Sequence, residues 1–219
     1  MPNVDLILGA DSSRKRSVRT EPTQRRSSQR LDALLDAAAD IVDESGFERL
    51  TTQMVAERAG ASIGTVYRYF PDRVAVVDAL RERAIRRYRE RVVDDMERTA
   101  PATWWDTIDL ALDACVAMYR DEPGFAVVHA GRRDRADDDE PEFATRMAQL
   151  IASEFDVELE AAELRFRLGI ALEVGHSLIN RAFERSIDGD PGYLEEARSL
   201  VRTYLFEHVG TPHAASNAA

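Results

Sequence analysis

Thr51–Arg73 reads TTQMVAERAGASIGTVYRYFPDR, and its punctuation decides the fold. Thr51 stands where a helix N-cap belongs, and Val55, Ala56 and Ala59 follow at the spacing of one apolar helix face. Gly60 then ends that helix, being the residue best able to take the left-handed conformation. Ser62 can cap a second helix whose buried side is Val66, Tyr69 and Phe70. Pro71 stops it, and Asp72 is placed to cap a third. Two short helices joined by a tight glycine-containing turn form a helix-turn-helix unit, whose second helix suits a DNA major groove.

Outward from this stretch, the chain of 219 residues is rich in helix formers and carries only 8 Pro and 11 Gly. That composition predicts an all-α protein. From Ser28 to Glu44, Leu31, Leu34, Leu35, Ala38, Ile41 and Val42 recur at helical spacing, so a first helix should brace the pair from behind. A long helix should run from Asp72 to about Arg98. Pro101 and Thr103 open the next, with Asp106 completing a capping-box pattern. Gly124 and Phe125 start a short helix through His129, and Arg132–Glu142 reads as a solvated charged loop. Residues 141–155 form another helix. Glu158–Arg185 is nearly apolar all round between Leu168 and Ile179, which requires burial on several sides. Asp188–Pro191 breaks it, and Gly192 to about His208 forms the last helix. The count is about nine.

The net charge of −11 sits uneasily with DNA until it is mapped. Residues 1–30 carry +4, residues 31–100 carry −3, and residues 101–219 carry −12. The acidity belongs to the C-terminal half, and a Debye length of about 8 Å at physiological salt screens distant charge. The single cysteine, Cys115, excludes an internal disulfide, and is expected buried and inert. With no long apolar run and no signal-peptide core, the expectation is a soluble cytoplasmic protein.

At Thr51, Val55, Ala56, Ala59–Ser62, Gly64–Phe70 and Pro71–Arg73, the chain resembles the tetracycline-repressor (TetR) family of bacterial transcription regulators. Two positions depart from the family pattern. Arg73 replaces the usual lysine and keeps its charge, and Ile63 stands where many members carry a polar residue. The resemblance implies a three-helix head and a C-terminal helical domain that dimerises and holds a small effector, joined by the helix that starts at Asp72. The domains are then a basic flexible arm (1–28), a DNA-binding head (29–75), an effector-binding and dimerisation domain (76–210) and a tail (211–219).

The DNA-binding set follows from position and chemistry. Thr51, Thr52 and Gln53 lie at a helix N-terminus, where free N–H groups favour phosphate. Ser62, Ile63, Gly64 and Thr65 open the recognition helix; small residues let it approach base edges, and Thr65 can bond a base or touch a thymine methyl. Tyr67 and Tyr69 carry hydroxyls suited to phosphate, with Tyr69 alternatively a core residue. Arg68 reaches phosphate or base, and Arg73 grips the backbone. The arm of residues 1–28, with Arg14, Lys15, Arg16, Arg19, Arg25 and Arg26, either adds phosphate contacts or is simply a solvated tail.

For dimerisation, Ile170, Ala171, Val174, Gly175, Leu178 and Ala182 with Leu200, Val201 and Tyr204 could pair two copies as a four-helix bundle, or fill a monomer core. Trp104, Trp105, Ile108, Cys115, Met118, Tyr119, Phe125 and His129 suit either an apolar effector pocket or a packed core. The polar line Glu173, His176, Ser177, Asn180 and Glu184 lines a cavity, crosses the interface or meets solvent. Glu173 and His176 have the spacing of half a carboxylate-bridged metal site, but lack the companion motif, so no metal and no cofactor are expected. The reading is a homodimeric regulator of a palindromic DNA operator, most simply a repressor released by a small molecule. The rivals are a constitutive DNA binder without effector and a helical metal-binding enzyme.

Overall fold

A computed structural model describes residues 5–8, 22–126 and 142–212. Among them are nine α-helices and no strand: α1 (Asp5–Leu8), α2 (Pro22–Ser45), α3 (Thr52–Arg58), α4 (Ile63–Tyr69), α5 (Arg73–Thr99), α6 (Trp104–Asp121), α7 (Glu142–Glu154), α8 (Ala161–Arg185) and α9 (Pro191–Val209). A 3-10 turn, Phe47–Arg49, links α2 to α3. The all-α architecture agrees with the sequence, and the predicted boundaries of α5 to α9 hold to within three residues. His129, most of the predicted 124–129 helix and the 132–141 loop lie outside the described residues, as do 9–21 and 213–219.

The chain divides into two compact units. The first gathers residues 15–87 with 121–135, the second residues 1–14, 88–120 and 136–219, so the division falls inside α5, between Arg87 and Tyr88.

The head unit is built around Leu34, Leu35, Ala38, Ile41 and Val42 of α2, Leu50 just after the 3-10 turn, Val55 and Ala56 of α3, Val66 of α4, Phe70 just after it, and Val76, Val77 and Leu80 of α5. Leu50 apart, these are apolar positions that helical spacing singles out, and each element closes one side of a single core. Truncating a buried aromatic such as Phe70 typically costs about 3–5 kcal/mol, so this core sets the head's integrity. Polar groups fix the registers. Arg83, buried, donates to Asp36 at 2.6 Å and to the Leu35 carbonyl at 3.1 Å, tying α5 to α2. Arg58 forms a two-pronged bond to Glu44 at 2.9 and 2.6 Å, tying α3 to α2. After α6 the chain returns to the head, where the Gly124 N–H donates to Asp43 at 2.8 Å. Gly124 has φ 74°, and a Cβ there would lie 2.9 Å from the Ala39 Cα, so only glycine fits.

In the second unit, Thr103 and Asp106 exchange backbone N–H bonds at 2.9 and 3.1 Å, the capping box expected from their spacing. Gly175 of α8 places its Cα close enough to α6 and α9 that an added Cβ would meet Leu112 at 3.0 Å and Val201 at 3.1 Å. Asp190 caps α9, with Pro191 at its first position.

Two features depart from the expected 28-residue loose arm. The helix α2 begins at Pro22, six residues before Ser28, because proline is favoured at the first helical position. Upstream, α1 packs on α7: Ile7 is fully buried, and Arg146 donates to the Leu6 carbonyl at 3.1 Å. Leu6, Ile7 and Leu8 are an apolar island in a polar arm, and burying it repays ordering one helical turn.

Candidate nucleic-acid interface

The helix-turn-helix is assembled by three side-chain caps. The Thr51 hydroxyl accepts from the Met54 N–H at 3.2 Å, Ser62 from Thr65 at 3.1 Å, and Asp72 from Ala75 at 2.9 Å. Gly60, at φ 58°, turns the chain between the first two helices. Each cap satisfies an N–H that the helix leaves orphaned and typically contributes ~1 kcal/mol. The result is a pair of seven-residue helices, each about 10 Å long, held by a core on one side only.

The opposite side carries most of the predicted DNA set. Tyr67 is 54% exposed, and Thr51, Gln53, Ser62, Gly64, Arg68 and Arg73 are also exposed; Thr52 and Thr65 are half-buried. Gly64 has open space beyond it, the nearest atom to an added Cβ being the Ser62 Oγ at 3.9 Å. Thr51 spends an acceptor on its cap, leaving its O–H to donate to a phosphate. Gln53 donates to Glu57 at 2.8 Å and must release that bond to reach DNA. Arg73 opens α5, where its charge adds to the orphan N–H groups of that helix start.

Two predicted positions resolve differently from their neighbours. Ile63 packs half-buried against the head core, which accounts for an apolar residue at the start of the recognition helix. Tyr69 also packs its ring against that core, while its hydroxyl lies 3.1 Å from that of Ser27 on α2. The ring takes the core position that one of its two sequence readings gives, and the hydroxyl is engaged by Ser27. The hydrogen bond with Ser27 pulls the Tyr69 phenol below its usual range, with Arg68 and Arg30 adding to the pull. Arg68 lies over the Tyr69 ring, 5.1 Å from its centre.

Residues 34–80 match the bacterial regulatory proteins of the tetR family, and residues 102–209 match the tetracyclin repressor-like C-terminal domain. A TetR-family transcriptional regulator from Streptomyces coelicolor is 34% identical, with a TM-score of 0.68 over 82% of this chain and 99% of that one. The chain belongs to the TetR family of transcription regulators. It is also 36% identical over 106 residues to the transcriptional repressor KstR of Mycolicibacterium smegmatis, covering 47% of this chain and 43% of that protein. The fatty acid metabolism regulator of Bacillus subtilis is 28% identical over 69 residues, covering 32% of this chain and 36% of that protein. The chain thus matches less than half the length of these two curated relatives. This TetR-family chain is a DNA-binding regulator, and the matched segment 34–80 contains the helix-turn-helix.

Its remaining predicted residues separate into core and surface. Ala171, Gly175, Ala182 and Val201 are buried within the protomer, so that side of α8 and α9 fills the core. Ile170, Val174 and Leu200 stay exposed, and Leu178 and Tyr204 are half-buried. Phe166, which the sequence reading passed over, is 53% exposed and extends the strip at four-residue spacing: Phe166, Ile170, Val174.

Of the predicted pocket residues, Trp104, Trp105, Ile108, Cys115 and Met118 are buried. Trp104 and Trp105 pack edge-on against Phe206 at 5.7 Å each, and Tyr119 stacks on Phe183 at 4.7 Å. Phe125 is also buried. Burial pushes the Cys115 thiol up to about 12. The polar line of α8 splits: Glu173, Ser177 and Glu184 are exposed. The His176 ring meets Tyr88 edge-on at 5.9 Å, and Asn180 accepts from the Tyr119 hydroxyl at 2.8 Å while donating to Glu184 at 2.9 Å. Among the described residues, no group of three His, Cys, Asp or Glu is placed to hold a metal ion. Surface cavities of about 740 and 350 Å³ are lined by residues other than the predicted pocket set. No helix among the described residues is long and apolar enough to cross a membrane.

Proposed function

We propose that this chain is a cytoplasmic homodimeric repressor that leaves a palindromic operator when a small molecule binds its C-terminal unit. The observation that carries the dimer is the exposed apolar strip of Phe166, Ile170 and Val174 on α8 with Leu200 on α9. Large apolar side chains at i, i+4 and i+8 leave a helix face that a two-fold copy of the same face can cover. Two heads related by that axis would read half-sites about 34 Å apart or a multiple of it. Repression is favoured by the relatives, of which KstR is named a transcriptional repressor.

Release needs little energy. A tenfold drop in operator affinity corresponds to about 1.4 kcal/mol. The helix α5 belongs to both compact units, and residues 121–126 are held to α2 through Gly124 and Asp43. The first gives a shift in the C-terminal unit a covalent path to the head, and the second ties the chain after α6 to α2 by a hydrogen bond. The Tyr119–Asn180–Glu184 bonds sit beside stacked aromatics, which suits an effector with an apolar body and one or two hydrogen-bonding groups. Effector binding works by favouring the dimer whose heads are wrongly spaced.

A second reading has its own support. The Trp104–Trp105–Phe206 and Tyr119–Phe183 packing fills space that an effector would occupy, as a constitutive DNA binder would require. The deciding experiment measures binding to a duplex from the promoter beside its own gene, with and without candidate small molecules and any molecule that co-purifies. Ligand-dependent loss of affinity supports effector release. Unchanged affinity with every ligand leaves the constitutive regulator.

A further inference from the structure

The larger surface cavity, of about 740 Å³, lies between the first turns of α2 and the C-terminal end of α4. Its described lining includes the guanidiniums of Arg26, Arg30 and Arg68 and no carboxylate. We propose that this groove is a second phosphate site of the head, which takes a DNA backbone phosphate through Arg26, Arg30 and Arg68. It rests on the reading of the chain as a DNA binder, and adds Arg26 and Arg30 of α2 to the contact already expected of Arg68 on the recognition helix.

Three observations carry it. Three like charges line one groove with no carboxylate among its described lining, and such charges repel one another unless an anion sits among them; a phosphodiester is the anion a DNA binder meets. The groove is also bolted to the recognition helix. Ser27 and Tyr69 hydroxyls lie 3.1 Å apart, and the Tyr69 hydroxyl also reaches the Ser27 carbonyl at 3.5 Å. Arg26 and Arg30 flank that bolt, so they travel with the end of α4 rather than with a loose arm. Finally, the Arg68 guanidinium carbon sits 5.1 Å from the Tyr69 ring centre, a cation–π contact that restrains the side chain at the groove. An arginine already ordered loses less entropy on gripping a phosphate.

The position gives the site its meaning. Thr51–Gln53 and Arg73 serve helix starts, whereas this groove lies at the far end of the seven-residue recognition helix, about 10 Å from Ile63. The extension of α2 back to Pro22 is what brings Arg26 there, since a first helix starting at Ser28 would leave it in the arm. The early helix start therefore acquires a binding role.

The test compares the full-length wild type with the Arg26→Ala/Arg30→Ala double variant. Both are titrated onto a duplex bearing the preferred sequence and onto an unrelated duplex, across a salt series. Both replaced side chains are exposed, so an unchanged circular-dichroism melt should accompany the variant. The expected result is about a tenfold weakening on both duplexes alike. The slope of log affinity against log salt should shrink by about 0.9, one phosphate's worth. A Ser27→Ala variant, which removes the hydroxyl part of the bolt and keeps the carbonyl, should show a smaller loss in the same direction. Wild-type binding with equal affinity and slope in the double variant overturns the site alone. A loss confined to the preferred duplex overturns it too, by placing the arginines on base edges. Inorganic phosphate displacing the duplex at matched ionic strength, from wild type and double variant equally, would also count against it. Wild type that binds no duplex fails the DNA-binding reading itself.

Discussion

Replacing Gly124 with alanine tests how tightly the chain segment after α6 is seated on the head. At φ 74° any L-residue is strained, by roughly 1–2 kcal/mol. A Cβ there would also stand 2.9 Å from the Ala39 Cα, 3.1 Å from its Cβ and 3.3 Å from its carbonyl oxygen. Those atoms are the middle of α2 and cannot swing aside as a flexible side chain would. Overpacking of this kind costs about a further 1–3 kcal/mol. Gly60 supplies the control, because at φ 58° it has similar strain but nothing within 4 Å of an added Cβ. Gly60→Ala should therefore lose only about 1–2 kcal/mol, and Gly124→Ala about 2–5. Urea unfolding followed by circular dichroism measures both, with m-values compared so that a changed denatured state is not mistaken for lost packing. Equal losses would refute the close seating of Gly124 on Ala39, and with it the rigid link from 121–126 to α2.

Other outcomes follow from burial and charge. Burial raises the Asp43 carboxyl above its ordinary 3.8, against the lowering effect of the Gly124 N–H. Between the two values the native state binds more proton than the unfolded chain, so this group's contribution to stability falls as pH rises through that window. Asp43→Asn keeps an acceptor oxygen and should remove that decline; urea midpoints at several pH values check it, and an unaltered pH profile would contradict it. Cys115, buried and with its thiol pushed up to about 12, should ignore a colorimetric disulfide reagent at pH 8 until the protein unfolds. Val174→Asp should yield a folded monomer by sedimentation, whereas Ala171→Asp, at a buried position, should lose stability by several kcal/mol. A Val174→Asp dimer would move the interface elsewhere.

The parts legible in the sequence were those written in local chemistry. Thr51, Gly60, Ser62 and Asp72 announce the helix-turn-helix because caps and left-handed turns act within a few residues. The Thr103–Asp106 box and the Asp190–Pro191 break are legible for the same reason. Surface against core on α8 is not, since Ile170 and Ala171 are equally apolar and only packing separates them. The Tyr119–Asn180 bond and the Asp43–Gly124 bond join residues far apart in the chain, and no spacing rule foretells such pairs. The basic groove was half visible: Arg26 was noted as charge, but its place beside Arg68 depends on α2 starting at Pro22.

The central claim is that the exposed face of α3, α4 and the start of α5 reads DNA as one half of a two-fold pair. Selection from a random double-stranded library by the purified full chain tests it most directly. The expected product is an inverted repeat with half-sites about one helical turn, or a multiple of it, apart. The Thr65→Ala chain should select altered half-sites, while Arg73→Ala should select the same sequence more weakly. No enrichment by the wild-type chain, or enrichment of a lone asymmetric site, would contradict it.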